Sequence, residues 1–173
     1  MRLLQSLLNY VLPIHCYLCD QQSEELICKD CTTDFLLTSD YRCRACGITL
    51  MSIDQHKLCG ACIKNPPHFD QTIVATDYLP PVDQLVQRFK FGHQLMLADL
   101  MARCIRDAII TQYQGELPDL LTPVPLNAIR LIERGFNQAQ EIGKGLAPQI
   151  GIKLEPRLLI RIKQTQAQSS LAF

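Results

Sequence analysis

The sequence predicts an α/β protein with a cysteine-rich module at its N-terminal end, and three observations support this fold class. Eight of the nine cysteines lie before residue 63, as four Cys-x-x-Cys pairs. After the Pro66–Pro67 pair, short β-type segments alternate with amphipathic helical segments, as in domains built on a parallel or mixed sheet. Hydrophobic residues make up 47% of the chain, which is enough to bury a core. We therefore expect two domains, over residues 1–67 and 68–173.

The four cysteine pairs predict a double zinc ribbon. A Cys-x-x-Cys turn directs two thiolates at one metal, and two such turns complete the tetrahedral sulfur shell of structural Zn²⁺. Four disulfides would require a secreted protein, which no signal sequence indicates, and a thioredoxin-like redox centre needs one pair rather than four. We expect two structural zinc ions, with the ligands Cys16, Cys19, Cys28, Cys31, Cys43, Cys46, Cys59 and Cys62.

Two groupings of these cysteines remain open. Consecutive pairing gives one ion to residues 16–31 and the other to residues 43–62, whereas a cross-braced arrangement alternates the pairs. The eight-residue gap between the first two pairs favours consecutive pairing, because it closes the smaller loop. The ninth cysteine, Cys104, lies in an apolar helical run and is expected to be a small buried side chain.

The other elements follow from periodicity and from proline and glycine positions. A leucine stripe over residues 3–11 predicts an amphipathic helix that docks on its own domain, and β-branched residues predict a strand over 72–79. Pro80 and Pro81 open a helix that runs through Phe91 and ends at Gly92. The remaining predictions are helices over 95–113 and 136–150, and short strands over 120–124, 152–154 and 158–162.

Charge and hydropathy limit the function classes. The formal net charge is zero, so the total does not signal a strongly basic nucleic-acid binder. Residues 128–173 nevertheless contain seven basic against three acidic residues, a local positive excess. No run of 18 or more apolar residues predicts a membrane span, and no targeting segment is evident, so we expect a cytoplasmic protein.

Two segments of the second domain indicate anion binding. In the first, a proline-fixed loop after a buried strand leads to Arg130, Arg134 and Gly135, and amides with a guanidinium at a helix start suit phosphate. The second segment, residues 159–168, is a polar and basic loop after a strand. A capped helix start and a solvated loop explain the same residues equally well.

The order of these motifs resembles that of the ComF competence-protein family. The matching motifs cover nearly the whole chain: the Cys-x-x-Cys pairs, Phe89-Lys-Phe-Gly92, Pro123-Val-Pro-Leu126, Arg134-Gly-Phe-Asn-Gln138 and Arg161-x-Lys-x-Thr165-x-x-Gln168. The resemblance implies zinc ribbons joined to a type I phosphoribosyltransferase-like domain. It also implies that the protein handles incoming single-stranded DNA, together with the DNA-uptake machinery, during bacterial natural transformation.

The resemblance further implies a phosphate- and pyrophosphate-binding set. The segment over 123–138 would form the pyrophosphate-side loop and the helix after it, and residues 161–168 would form a mobile loop that closes over phosphoribosyl pyrophosphate and Mg²⁺. The implied binding residues are Arg130, Arg134, Gly135, Asn137, Arg161, Lys163, Thr165 and Gln168.

Half of that family site has no counterpart in this sequence. Type I members bind the ribose phosphate with paired aspartates followed by Thr-Thr-Gly, whereas this chain has no Asp-Asp pair and its one Thr-Thr lies at Thr32–Thr33, among the cysteines. We therefore expect a C-terminally truncated, incomplete transferase-like domain that is inactive as this chain. Its exposed sheet edge would be open to a partner chain.

Three hypotheses about function follow. The first is a ComF-like protein that handles DNA. The second is an active phosphoribosyltransferase completed by further sequence or by a partner chain, which alone would require Mg²⁺ and phosphoribosyl pyrophosphate. The third is an inert zinc-ribbon interaction module.

Overall fold

The structure is a computed structural model that describes residues 14–37, 41–51, 57–92 and 94–163. The helix predicted over 3–11 lies outside these residues. The chain divides into two units, one formed by residues 1–85 and 107–113 and the other by residues 86–106 and 114–173. The domain boundary at residues 67 and 68 stays a prediction.

Short elements make up most of the first unit, and helices most of the second. In chain order the described elements are β1 (Ile14–His15), β2 (Gln22–Ser23), α1 (Lys29–Cys31), a π-helical turn (Thr32–Leu36), α2 (Gly60–Lys64), α3 (Val82–Phe91), α4 (Met96–Gln112), β3 (Leu120–Leu121), α5 (Ala128–Arg134), α6 (Gln138–Ile150) and β4 (Lys153–Leu154). Strands β1 and β2 pair antiparallel, and β3 and β4 pair parallel. None of the helices in the described ranges has the length and apolar character needed to cross a membrane.

The prediction of a strand over residues 72–79 is wrong. The segment has no regular secondary structure, and it hydrogen-bonds to a hairpin formed by residues 41–50. Thr72 N donates to Arg44 O at 3.0 Å, and Thr72 Oγ1 donates to Ala45 O at 2.6 Å. The side-chain amide of Gln112 then pairs with both backbone groups of Val74, as a neighbouring strand would. Backbone groups satisfied in these ways do not need a sheet partner.

Gly47 lies where this segment contacts the hairpin. Its φ of +77° is in the left-handed region, and a Cβ at this position would lie 2.6 Å from Val74 Cγ2. Both the backbone conformation and the available space therefore require glycine.

We expect Gly47→Ala to lower the free energy of unfolding by about 2–4 kcal/mol, because left-handed strain adds to an overpacking clash. Urea denaturation monitored by circular dichroism would measure the loss. Gly60→Ala is the matched control, because a Cβ at Gly60 meets no heavy atom within 4 Å. An equal loss in both variants would contradict the explanation.

Helices α3 and α4 confirm the predictions made from the Pro80–Pro81 pair and from apolar periodicity. Val82, Leu85 and Phe89 are buried on one stripe of α3. Helix α6 approaches α4 closely at Gly145, where a Cβ would lie 3.1 Å from Ala102 Cβ. Cys104 was predicted to be a small buried side chain, and it is partly buried.

Three predictions for the second unit are also corrected. Residues 128–134, which were predicted to belong to a loop, form a helix, and α5 begins where Asn127 Oδ1 accepts from Arg130 N at 2.8 Å. It ends at Gly135, whose φ is +74°, a typical helix C-terminal signal. The strand predicted over 158–162 does not form, since no strand in the described ranges lies beside it, and its residues are exposed. The strand predicted over 120–124 is reduced to two residues because the prolines that follow cannot donate to a sheet.

Candidate metal centres and anion-binding loops

Two consecutive modules of the first unit share one plan, in which a hairpin is followed by a short helix. The first and second cysteines lie in the hairpin turn, the third immediately precedes the helix, and the fourth lies within it. In the first module the hairpin is β1–β2 and the helix is α1. In the second module the hairpin is residues 41–50, closed by an Arg42–Thr49 bridge, and the helix is α2.

This plan brings the eight thiols into two sets. Cys16, Cys19, Cys28 and Cys31 form one set, and Cys43, Cys46, Cys59 and Cys62 form the other, with all Sγ atoms of a set within 4.8 Å of one another. This is the consecutive grouping that the shorter loop favours. The separation between the second and third Sγ atoms is 3.7 Å in both sets. A tetrahedral site with Zn–S bonds of about 2.3 Å requires sulfur atoms about 3.8 Å apart, so both sets fit Zn²⁺.

Backbone N–H groups stabilise one thiolate in each set. Cys28 N donates to Cys16 Sγ at 3.3 Å, and Cys59 N donates to Cys43 Sγ at the same distance. In both modules the donor is the residue that immediately precedes the short helix: its N–H bonds the thiol, and its carbonyl accepts the first hydrogen bond of the helix. Hydrogen bonds of this type orient a metal's ligands.

The thiols of a set have unequal proton affinities. Burial alone would raise the pKa of Cys16, but backbone N–H donors, including that of Cys28, lower it to about 6, and the pKa of Cys43 is lowered to about 6 in the same way. Burial and neighbouring cysteines raise the pKa of Cys62 to about 12 and also raise that of Cys31. The four thiols of a set therefore do not all ionise unless a cation offsets their negative charge. A divalent metal ion bound by the four sulfurs supplies that charge.

Residues 7–63 match the double zinc ribbon domain family. With the geometry of the two thiol sets, this match defines the chain as a double zinc ribbon protein with two structural Zn²⁺ ions, as the cysteine spacing predicted. Each centre has four sulfur ligands and no open coordination position, so the ions stabilise the fold and do not activate a substrate.

The similarity to known proteins extends beyond the ribbons. The chain is 35% identical to competence protein F of Haemophilus influenzae over 134 residues, which is 75% of this chain and 57% of the relative. It is 29% identical to DNA utilization protein YhgH of Salmonella typhimurium over 75% of this chain and 58% of that protein, and 27% identical to YhgH of Escherichia coli over 84% and 64%. The chain belongs to the ComF family. No solved structure matches it significantly.

The chain spans about three fifths of the length of the curated relatives that it matches, between 57% and 64% for these three. The function of the complete relatives is therefore assigned to this chain only as a proposal.

The anion-binding residues implied by the resemblance lie in the second unit. Arg130 and Arg134 lie on α5, Gly135 follows it, and Asn137 begins α6 by accepting from Ala139 N at 3.0 Å. Asn137 Nδ2 also donates to Val124 O at 3.0 Å, so the proline-fixed loop is fastened to the start of α6.

The two segments that were predicted to bind anions contact each other through one arginine. Arg161 Nη1 donates to Pro125 O at 3.3 Å, and Arg161 Nε donates to the backbone carbonyl of Lys163 at 3.3 Å. Thr165 and Gln168 lie outside the described residues, and the phosphate-binding role of the whole implied set stays a prediction.

No binding role was predicted for Lys90 or Phe91. Both lie at the end of α3, within the Phe89-Lys-Phe-Gly92 motif, and the Arg134 guanidinium lies 5.1 Å from the centroid of the Phe91 ring. This motif, which supports the family resemblance, is the signal in the sequence that marks the two residues.

Proposed function

We propose that this chain handles incoming single-stranded DNA during bacterial DNA uptake, in the cytoplasm, and that its second unit contacts the strand. The observation that carries the proposal is the 35% identity to competence protein F over 134 residues. An alignment of that length cannot come from the ribbons alone, because the ribbon match covers only residues 7–63. The relatives named DNA utilization protein YhgH support the same role.

Charge supports assigning the DNA contact to the second unit. Residues 1–70 contain six basic against eight acidic residues, and each four-thiolate zinc site adds a formal charge of about −2. Residues 128–173 contain seven basic against three acidic residues. Because phosphate contacts dominate nucleic-acid affinity, the basic part of the chain is the favourable surface.

The proposal includes a phosphoribosyltransferase-like fold for the second unit. The parallel pair β3–β4 is joined through α5 and α6, which is the crossover connection of an α/β domain. The proposal assigns binding to this fold, and it assigns no transfer chemistry to the residues of this sequence, in which the Asp-Asp and Thr-Thr-Gly segments have no counterpart. Ile160 and Ile162 are exposed apolar side chains, and such a surface favours contact with a partner chain.

A second candidate function is binding of phosphoribosyl pyrophosphate with Mg²⁺ once the domain is completed by further sequence or a partner. The hydrogen bond from Arg161 to Pro125 favours it, because it holds the two implied phosphate segments together. Titration calorimetry with phosphoribosyl pyrophosphate and Mg²⁺, on the protein with this domain completed, separates the two functions, since DNA handling alone predicts no heat from this ligand.

Fluorescence anisotropy with a labelled oligothymidine of about 20 nucleotides tests the proposed function. With about three phosphate contacts, we expect the affinity to fall roughly 20-fold between about 50 and 200 mM salt. The double variant Arg130→Gln with Arg161→Gln should bind more weakly and with a smaller salt dependence, whereas Lys29→Gln on the first ribbon should bind as the wild type does. Absence of binding, or binding that salt leaves unchanged, would refute the proposal.

A further inference from the structure

We infer that Phe91, with Lys90 and Arg134 beside it, forms a platform on which a base of single-stranded DNA stacks while the two cations contact the neighbouring phosphates. We call these three residues the Phe91 platform. The inference rests on the proposed function, because it names the surface of the second unit that holds the strand. All three residues belong to that unit.

The Phe91 ring is available to a ligand and does not contribute to the core. Phe89, two residues earlier on α3, is 1% exposed and packs against Phe136 with the ring centroids 5.6 Å apart. Residues two apart on a helix point to different sides, so Phe91 is directed outward and is 65% exposed. A single exposed aromatic residue is common on protein surfaces, so its surroundings decide what it does.

The surroundings of Phe91 are cationic. The Arg134 guanidinium lies 5.1 Å from the ring centroid, and its Nη1 donates to Oε1 of the buried Gln138 at 3.2 Å. The guanidinium is therefore fixed against the ring by both a cation–π contact and a hydrogen bond.

Lys90 adds a second positive charge to this surface. Its pKa is lowered, first by burial and then by the positive charge of Arg134. Neither Lys90 nor Arg134 forms an ion pair with an acidic residue in the part of the chain that the structure describes. Two like charges held together without an acid favour binding of an anion, which removes the repulsion.

An aromatic ring beside unpaired cations matches the chemistry of single-stranded nucleic acid. Bases stack on aromatic side chains while basic residues follow the backbone, and duplex DNA does not offer its base faces in this way. A free pyrophosphate would use the two cations but not the ring. The contribution of Phe91 therefore distinguishes a DNA strand from a small phosphate ligand.

Tryptophan fluorescence gives a direct test, because the sequence contains no tryptophan. In the full-length Phe91→Trp variant, the new indole is expected to be quenched when oligothymidine binds and to be unaffected by inorganic pyrophosphate. Phe69→Trp is the matched control, because Phe69 is 54% exposed and belongs to the first unit, so its fluorescence should not change.

Affinity provides the second readout. Phe91→Ala should bind oligothymidine about 5- to 100-fold more weakly, Phe91→Trp should bind at least as tightly as the wild type, and Phe69→Ala should be unchanged. In Arg134→Gln, the slope of log affinity against log salt concentration should become smaller by the contribution of about one phosphate contact.

The outcomes separate this inference from the proposed function. If the wild type binds oligothymidine but Phe91→Ala binds equally well and Phe91→Trp is not quenched, the platform is wrong and the proposed function stands. If the wild type does not bind oligothymidine, both fail. Quenching of Phe91→Trp by pyrophosphate would also overturn the inference, since it would assign the surface to a small phosphate ligand.

Discussion

Replacing Cys43 with serine is expected to reduce the zinc content of the purified chain from two ions to one and to unfold the second ribbon. The buried cluster of that ribbon consists of Cys43, Ala45 and Cys62, so it has little apolar core other than its own ligands. Metal binding supplies the missing stability, and structural zinc sites contribute about 10–16 kcal/mol in small zinc domains. Metal analysis by mass spectrometry measures the stoichiometry, and far-UV circular dichroism measures the loss of structure.

Cys104→Ser is the matched control for this variant. Cys104 belongs to neither thiol set, so its replacement should leave two ions bound. Two ions in Cys43→Ser, or one ion in Cys104→Ser, would contradict the ligand assignment. Addition of a strong chelator to the wild type should release both ions and unfold both ribbons.

Replacing Phe89 with alanine is expected to destabilise the second unit by about 3–5 kcal/mol. The ring is 1% exposed and packs against Phe136, so its removal leaves a cavity in the core. Urea denaturation would measure the change from the midpoint and slope of the transition. The zinc content should remain at two ions, because none of the eight ligands is near this substitution in the sequence.

Phe91→Ala provides a comparison on the same helix. It removes the same side chain from a position that is 65% exposed, so we expect a change of about 0.5 kcal/mol or less. Equal destabilisation of the two variants would show that burial is not what distinguishes these phenylalanines.

The zinc centres were predictable because their information is local. Each Cys-x-x-Cys turn fixes two ligands within four residues, and the loop lengths indicate which turns share an ion. Helices α3 and α4 were predictable for a similar reason, since Pro81 and Gly92 limit α3, and an apolar stripe marks α4.

The incorrect predictions concern segments whose structure depends on distant residues. Residues 72–79 have β-type composition, but their hydrogen-bond partners are Arg44, Ala45 and Gln112, which no local pattern indicates. A strand over 158–162 needs a neighbouring strand to pair with, and the amino-acid composition of the segment does not show whether that neighbour exists. Helix α5 was missed for a different reason: Asn127 and Gly135 are ordinary helix-end signals, but the only helix predicted in this segment began after them, at residue 136.

The predicted phosphate-binding residues stay predictions, because a side chain's neighbours in space decide its role. Arg134 was expected to meet an anion, and its position against Phe91 adds an aromatic partner that spacing alone does not reveal. Burial and then the positive charge of Arg134 lower the pKa of Lys90, an effect that the sequence does not indicate.

The exposed isoleucines of the second unit have a consequence for the behaviour of the chain in solution. Ile132, Ile160 and Ile162 are each more than 80% exposed. The formal charge of the sequence is zero, and each of the two four-thiolate zinc sites adds about −2, so the zinc-loaded chain carries roughly −4 at neutral pH. This negative charge opposes apolar contact between two copies, and the opposition weakens as the pH falls below 7, so colloidal stability is expected to decrease on the acidic side.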